Sequence, residues 1–194
     1  MGKTKKRIIV GITGASGVIY GIRCLEVLKE NDEIETHLIV SEGAEKTIAL
    51  ETDRSVAAIG ELADFAYSPG NLAAPVASGS FPTHGMVVCP CTMKTLSGIV
   101  NSYNENLLVR AADVTLKERR KLIVVPRETP LHKGHLEMMV RLADLGGVVL
   151  PPVPAFYHHP RSVEDMIDFT VGKLLDQFGI RHELFDRWQG EKAR

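Results

Sequence analysis

Arg7–Gly17 reads RIIVGITGASG. Its first six residues are a short run rich in β-branched side chains, which suits a buried strand. Thr13–Gly17 then turns the chain with small residues. Residues 18–30 follow with Ile19, Ile22, Leu25, Val27 and Leu28, close to one helical stripe. A strand, a tight small-residue turn and a helix therefore open the chain.

The same alternation recurs. Residues 34–40 (IETHLIV) read as a second strand, and Ser41 is placed to cap a helix from Glu42 to about Leu50. Ser55–Ala63 is a further short helix. Residues 65–84 hold Pro69, Gly70, Pro75, Gly79 and Pro82 and read as a long loop with one short strand near Val76. A loop of that length inside a compact domain is more often functional than idle. Strands are expected at 85–90, 121–126 and 148–152, and helices at 93–101, 106–119, 133–145 and 162–178. The third of these helices stops at Gly146-Gly147, and Ser162 caps the last. Such alternation implies a parallel sheet with helices on both faces. Ligands of such sheets bind beyond the carboxyl ends of the strands, so the informative residues are those just after each strand.

The 194 residues suit one domain, 1–194, at about 150 residues per domain. With 44% hydrophobic and 24% charged residues the chain has the material for a core. Lys plus Arg (23) nearly cancels Asp plus Glu (24), and a net charge of -1 gives no overall pull toward nucleic acid. No apolar run approaches the ~18 residues of a membrane span, and no signal peptide is read at the basic start. That start, 1–6, is expected to be a flexible tail. Three cysteines, Cys24, Cys89 and Cys91, are too few for a disulfide framework and lack zinc-ligand spacing, so the expected compartment is the cytoplasm.

Gly11-Ile12-Thr13-Gly14-Ala15-Ser16-Gly17 follows the first strand. Its small residues let backbone N–H groups at a helix start approach an anion. The glycines are spaced by three, unlike the dinucleotide fingerprint, and no acidic residue ends the second strand, which argues against a nicotinamide cofactor. A mononucleotide phosphate or flavin fits better; a tight turn without a ligand is the plain alternative. Thr92-Met93-Lys94-Thr95 suits a phosphate or a flavin edge, or simple capping by Thr92. Arg110 and Lys117, seven apart, share a helix face that is either a binding edge or a solvated one. Arg127-Glu128 follows a strand, and its carboxylate suits either proton transfer or a surface ion pair. His132, His135 and Glu137 lack the H-E-x-x-H spacing, so no metal is expected. Pro151–Pro160 is a stiff segment presenting Phe156 and Tyr157.

TGASG at 13–17, SGSF at 78–81, CTMKTLSGI at 91–99, RAADVTLKERR at 110–120, PRETPLH at 126–132, PPVPAFYHHP at 151–160 and LDQFGI at 175–180 occur in this order. Together they closely resemble the UbiX-like flavin prenyltransferases, a group that includes proteins once regarded as components of phenolic acid decarboxylases. The resemblance runs from about residue 7 to Gly190. It implies a flavodoxin-like Rossmann fold that binds FMN. It implies transfer of a dimethylallyl group from dimethylallyl phosphate to N5 and C6 of reduced FMN, without a metal. It implies a homo-oligomer, typically a dodecamer built from trimers, with sites where subunits meet. The prenylated FMN would serve a UbiD-type decarboxylase.

Carried over by position, the resemblance implies flavin contacts at Gly14, Ala15, Ser16, Ser41, Thr92, Met93, Lys94, Thr95 and Arg127. Ser16 would orient the flavin N5 region and Glu128 would move protons for ring closure. Arg110, Lys117 and Tyr157 would hold the donor and its phosphate, with Glu51 a further acidic residue nearby. Lys173 stands where close relatives carry an arginine, keeping the charge without the planar fork and leaving open the preference between mono- and diphosphate. Three other readings remain. An FMN-binding escort protein without transferase chemistry leaves Arg110, Lys117 and Glu128 without a purpose. A flavin-dependent cysteine decarboxylase would, in one branch, use a histidine base after the first strand, where this chain has Tyr20 and Arg23. A decarboxylase acting alone would need an aromatic-acid pocket that nothing here suggests.

Overall fold

A computed structural model describes residues 5–190. Strand β1 (Lys6–Ile12) lies in the middle of one six-stranded parallel sheet. It pairs with β2 (Ile34–Val40) along its whole length, from Lys6 opposite Ile34 to Ile12 opposite Val40. On its other side it pairs with β4 (Gly85–Cys91), from Ile8 opposite Gly85 to Gly11 opposite Val88. Beyond these lie β3 (Phe65–Tyr67), β5 (Lys121–Pro126) and β6 (Val148–Val149), in the order β3-β2-β1-β4-β5-β6. Without the three-residue edge strand β3 this is the flavodoxin order. The expected flavodoxin-like α/β fold, with a parallel sheet and helices on both faces, is the fold observed.

Buried alternation explains the layers. Ile8, Val10 and Ile12 face one side of the sheet, where α1 (Val18–Lys29), α2 (Glu42–Glu51), α3 (Val56–Gly60) and α7 (Val163–Gln177) supply the covering side chains. Ile9, Ile39, Met86, Val88 and Val124 face the other, under α4 (Met93–Val100), α5 (Leu107–Lys117) and α6 (Lys133–Asp144). Strands buried on both faces are why the sequence reads as apolar runs rather than as strict alternation. The expected caps are present: Ser41 Oγ accepts from Ala44 N, Thr92 Oγ1 from Thr95 N, and Ser162 forms a capping box with Asp165.

Four expectations need correction. Residues 1–4 of the expected tail lie outside the described residues, but Lys6 already opens β1 and Arg7 lies within it, because Arg7 is held by Glu35 of β2 at 2.7 Å. The strand expected near Val76 is a 3-10 turn, Pro75–Ala77. Proline fixes the bend there, and Val76 is buried without any ladder partner. The strand of that region is instead β3, at its start. β6 spans two residues instead of five, since Pro151 and Pro152 carry no N–H to extend the ladder. The helix expected over Ser55–Ala63 ends at Gly60.

All three cysteines are free and buried. Burial pushes the Cys24 thiol up to about 12, and raises Cys89 and Cys91 as well, so all three are neutral thiols packed as small apolar groups. Among the described residues no helix is long and apolar enough to cross a membrane. The packing of α1 on the sheet depends on Gly21, where a Cβ would stand 2.2 Å from the Cys89 carbonyl oxygen and 3.0 Å from Ile12 Cγ1. Gly21→Ala is expected to cost about 1–3 kcal/mol through overpacking, read as a lower urea midpoint; an unchanged midpoint would show that α1 can shift freely.

Candidate active site

At the carboxyl ends of the strands, β1 and β4 send their following helices to opposite faces of the sheet. The crevice between them is the topological switch point of an open α/β sheet. It holds a cleft of about 930 Å³, near the upper end of the ~300–1,000 Å³ usual for small-molecule sites. Thr13 and Gly14 line it from the loop after β1, Ser41, Glu42 and Gly43 from the start of α2, and Thr92, Lys94 and Thr95 from the start of α4. Pro69, Gly70, Tyr103 and Asn106 complete the far wall.

Local chemistry shapes this cleft. A Cβ on Gly14 would stand 2.7 Å from the Gly43 carbonyl carbon, so the close approach of the first loop to α2 demands glycine. Thr47 Oγ1 donates to the Gly14 carbonyl at 3.2 Å and fixes the loop there. Thr92 Oγ1 accepts from Thr95 N at 3.1 Å and donates to Thr95 Oγ1 at 3.0 Å. Lys94 Nζ reaches Glu105 at 3.2 Å, both residues lining the cleft. Hydroxyls, backbone amides and one ammonium, on a cradle closed by two glycines, suit a mononucleotide or a flavin.

A second cluster adjoins the start of α1. The Glu51 carboxylate accepts from Gly17 N at 2.8 Å and from Val18 N at 3.2 Å. Burial would raise its pKa, but hydrogen bonds from Ser16 and the two amides, with Arg127 nearby, outweigh it and hold Glu51 below the ordinary glutamate range. This corrects one expectation from the sequence. The α1 amides of Gly17 and Val18 do not await a ligand anion, because a carboxylate from α2 already occupies them. No local pattern could reveal a partner 34 residues away.

The remaining expected residues divide. Ala15 and Met93 are buried, with Met93 packed into the core under α4 and α5, so neither side chain lines the cleft. Arg127 and Glu128 are exposed beyond β5; Glu128 accepts from Thr129 N at 3.1 Å. Arg110 is half-buried on α5, donating to the Ala77 carbonyl at 3.2 Å and pairing with Asp113 at 3.2 Å. Lys117, two turns on, pairs with Glu118 and lies beside Gly79. Tyr157 meets Phe169 of α7 edge-on at 5.9 Å and Trp188 at 6.0 Å. Lys173, also on α7, is 3.8 Å from Asp176.

One chain therefore does not gather the expected phosphate-binding set. Arg110 and Lys117 ride on α5, Lys173 and the support of Tyr157 on α7, and these helices cover opposite faces of the sheet. Trp188 is a residue that sequence reasoning missed. It is the chain's single tryptophan and stands 65% exposed beside an expected site residue. Its place in a polar carboxyl-terminal stretch, FDRWQGEK, was the available signal.

The cleft and fold define a cofactor-binding α/β protein of the flavin or mononucleotide type. The Flavoprotein family model matches residues 2–175. The chain is 56% identical over 187 residues to the flavin prenyltransferase UbiX of Escherichia coli strain K12, covering 95% of this chain and 99% of that one. It superposes with a TM-score of 0.94 on AnUbiX (PadA1) in complex with FMN and dimethylallyl pyrophosphate, at 46% identity over 97% of this chain and 100% of that one. It also matches a dodecameric FMN-dependent UbiX-like decarboxylase from Escherichia coli O157:H7, with a TM-score of 0.93 and 50% identity over 95% and 100% of the two chains. The chain belongs to the Flavoprotein family and, within it, to the UbiX flavin prenyltransferases.

The Glu51 clamp sets a pH dependence. A carboxylate whose native pKa is lowered stabilises the fold above its unfolded pKa, and that contribution is lost as pH falls through the lowered native value. Glu51→Gln is therefore expected to melt at a lower temperature than the parent at pH 7, with the two curves converging as pH falls below 4.5. A gap independent of pH would assign the effect to shape instead of charge.

Proposed function

We propose that this chain is a flavin prenyltransferase that moves a dimethylallyl group from dimethylallyl phosphate to N5 and C6 of reduced FMN in the cytoplasm. The observation that carries this reading is the cleft at the switch point, built in a chain 56% identical to a flavin prenyltransferase. The prenylated FMN is then delivered to a UbiD-type decarboxylase acting on an aromatic or phenolic acid.

Reduced FMN supplies the electron-rich ring positions that accept the allyl group. The chain's own residues bind, orient and neutralise. Gly14, Ala15, Ser41, Thr92, Met93 and Thr95 present backbone amides and hydroxyls to the flavin, and Lys94 and Arg127 supply charge at its edges. Ser16 donates its proton to Glu51, which leaves the hydroxyl oxygen free to accept a hydrogen bond from the flavin. Glu128 stands exposed at the end of β5, where it takes up and returns protons during ring closure.

The departing phosphate needs positive charge, since electrostatic stabilisation of developing charge is usually the largest single contribution a site makes. Arg110, Lys117, Lys173 and Tyr157 fill this role. Because one chain holds these groups on opposite faces, a complete phosphate site takes Arg110 and Lys117 from one copy and Tyr157 and Lys173 from another. This reading needs a homo-oligomer, which we take to be a dodecamer built from trimers; the dodecameric relative supports such an assembly. Closing the site between copies also excludes water from a carbocation.

Anaerobic incubation with FMN, dithionite and dimethylallyl phosphate is expected to yield a flavin heavier by one C5H8 unit, read by mass spectrometry. Unmodified flavin that remains bound would favour either the escort reading or a diphosphate donor, and repeating the incubation with dimethylallyl diphosphate separates those two. Mixed oligomers test the shared site. Lys117→Ala and Lys173→Ala are each expected to lose turnover, while reassembly of the two variants together restores activity that neither has alone. No recovery on mixing would place both lysines in one chain's site.

A further inference from the structure

The ladder between β1 and β4 stops at Gly11 opposite Val88, and the register between β4 and β5 shifts between Val88 and Cys91. Beyond that pair Pro90 has no N–H with which to extend the ladder. The ends of β1 and β4 that border the cleft are therefore joined by fewer backbone bonds than a full ladder would give them. Thr13 stands in this gap, 1% exposed, two residues beyond the last ladder pair. Its hydroxyl donates to the Pro90 carbonyl at 2.8 Å and accepts from Thr92 N at 2.9 Å. Its backbone N–H reaches the same Pro90 carbonyl at 3.2 Å. Thr92 in turn caps α4 through its own hydroxyl, which also bonds Thr95, so Thr13 holds the residue that begins α4 at the edge of the cleft.

We propose that Thr13 is a positioning residue for the reaction. Its hydroxyl adds two bonds to the single backbone bond there, sets the spacing between the Gly14 loop and the start of α4, and so fixes the width of the cleft in which the flavin lies. Valine has nearly the same shape and would fill the same space. It would leave Thr92 N–H without its acceptor and leave the two walls joined by the Thr13 backbone bond alone. Serine keeps both hydroxyl bonds and gives up one methyl. The proposal rests on the reading of the cleft as the flavin site.

The test uses the assembled protein at a temperature well below each variant's melting point. FMN affinity is measured by fluorescence titration, and turnover under anaerobic conditions. Thr13→Val is expected to raise the FMN Kd about tenfold, the loss of a buried hydrogen bond at a binding wall, and to lower kcat. The KM for dimethylallyl phosphate is expected to stay unchanged, since other residues hold the donor. Thr13→Ser is expected to restore both toward the parent. A merely structural threonine would lower the melting temperature and leave FMN affinity and kcat alone, and that result overturns the proposal. If Thr13→Val does not fold, Thr13→Ser against Thr13→Ala decides: equal loss in the two assigns the effect to the methyl and overturns the proposal. A parent protein that binds no FMN overturns the flavin reading itself and the Thr13 role with it; a parent that binds while Thr13→Val binds equally overturns the Thr13 role alone.

Discussion

The switch point between β1 and β4 is the constraint on which everything else depends. A strand flanked on both sides by parallel neighbours must be apolar on both faces, and Ile8, Ile9 and Val10 are all fully or almost fully buried. Such a strand has no room for chemistry along its length. Chemistry is displaced to its carboxyl end, where the two neighbouring crossovers leave for opposite faces and a crevice opens. Gly14 against Gly43 and Thr13 against Pro90 and Thr92 are the contacts that hold this crevice at a workable size.

The same division of the helices dictates where charge sits. Each cation expected at the phosphate already has a carboxylate beside it: Asp113 for Arg110, Glu118 for Lys117 and Asp176 for Lys173. These pairs are half-exposed, and pairs of that kind stabilise a fold by about 0–1 kcal/mol. Each pair is locally neutral, so breaking it to present the cation elsewhere costs the fold little.

How much of this is legible in the sequence follows from the range of the interactions. Strands of continuous apolar residues, caps at Ser41, Thr92 and Ser162, and the small-residue and hydroxyl-rich loops after β1 and β4 are local patterns, and they are readable. The 3-10 turn at Val76 is mistaken for a strand because an apolar residue between turns has no period to classify it. The Glu51 clamp on α1 and the separation of Lys117 from Lys173 are not readable, since both depend on which face a helix takes. Periodicity shows that a helix has an apolar side and says nothing about the sheet face that side will cover.

Lys173 shows what such nonlocal contacts decide. Asp176 accepts Arg187 through two bonds, at 2.7 and 3.2 Å, and also meets His182 at 3.2 Å. Its oxygens are largely spent, and Arg187 above all, with His182 adding to it, draws its pKa down and keeps it charged. The ammonium of Lys173 is the loosest partner, at 3.8 Å and half-exposed. An arginine at 173 would compete with Arg187 for the same carboxylate through the same planar fork. Lysine carries a compact charge on a flexible stem and makes no such demand. A lysine at 173 thus leaves the Asp176–Arg187 pair intact and keeps a half-exposed cation on α7.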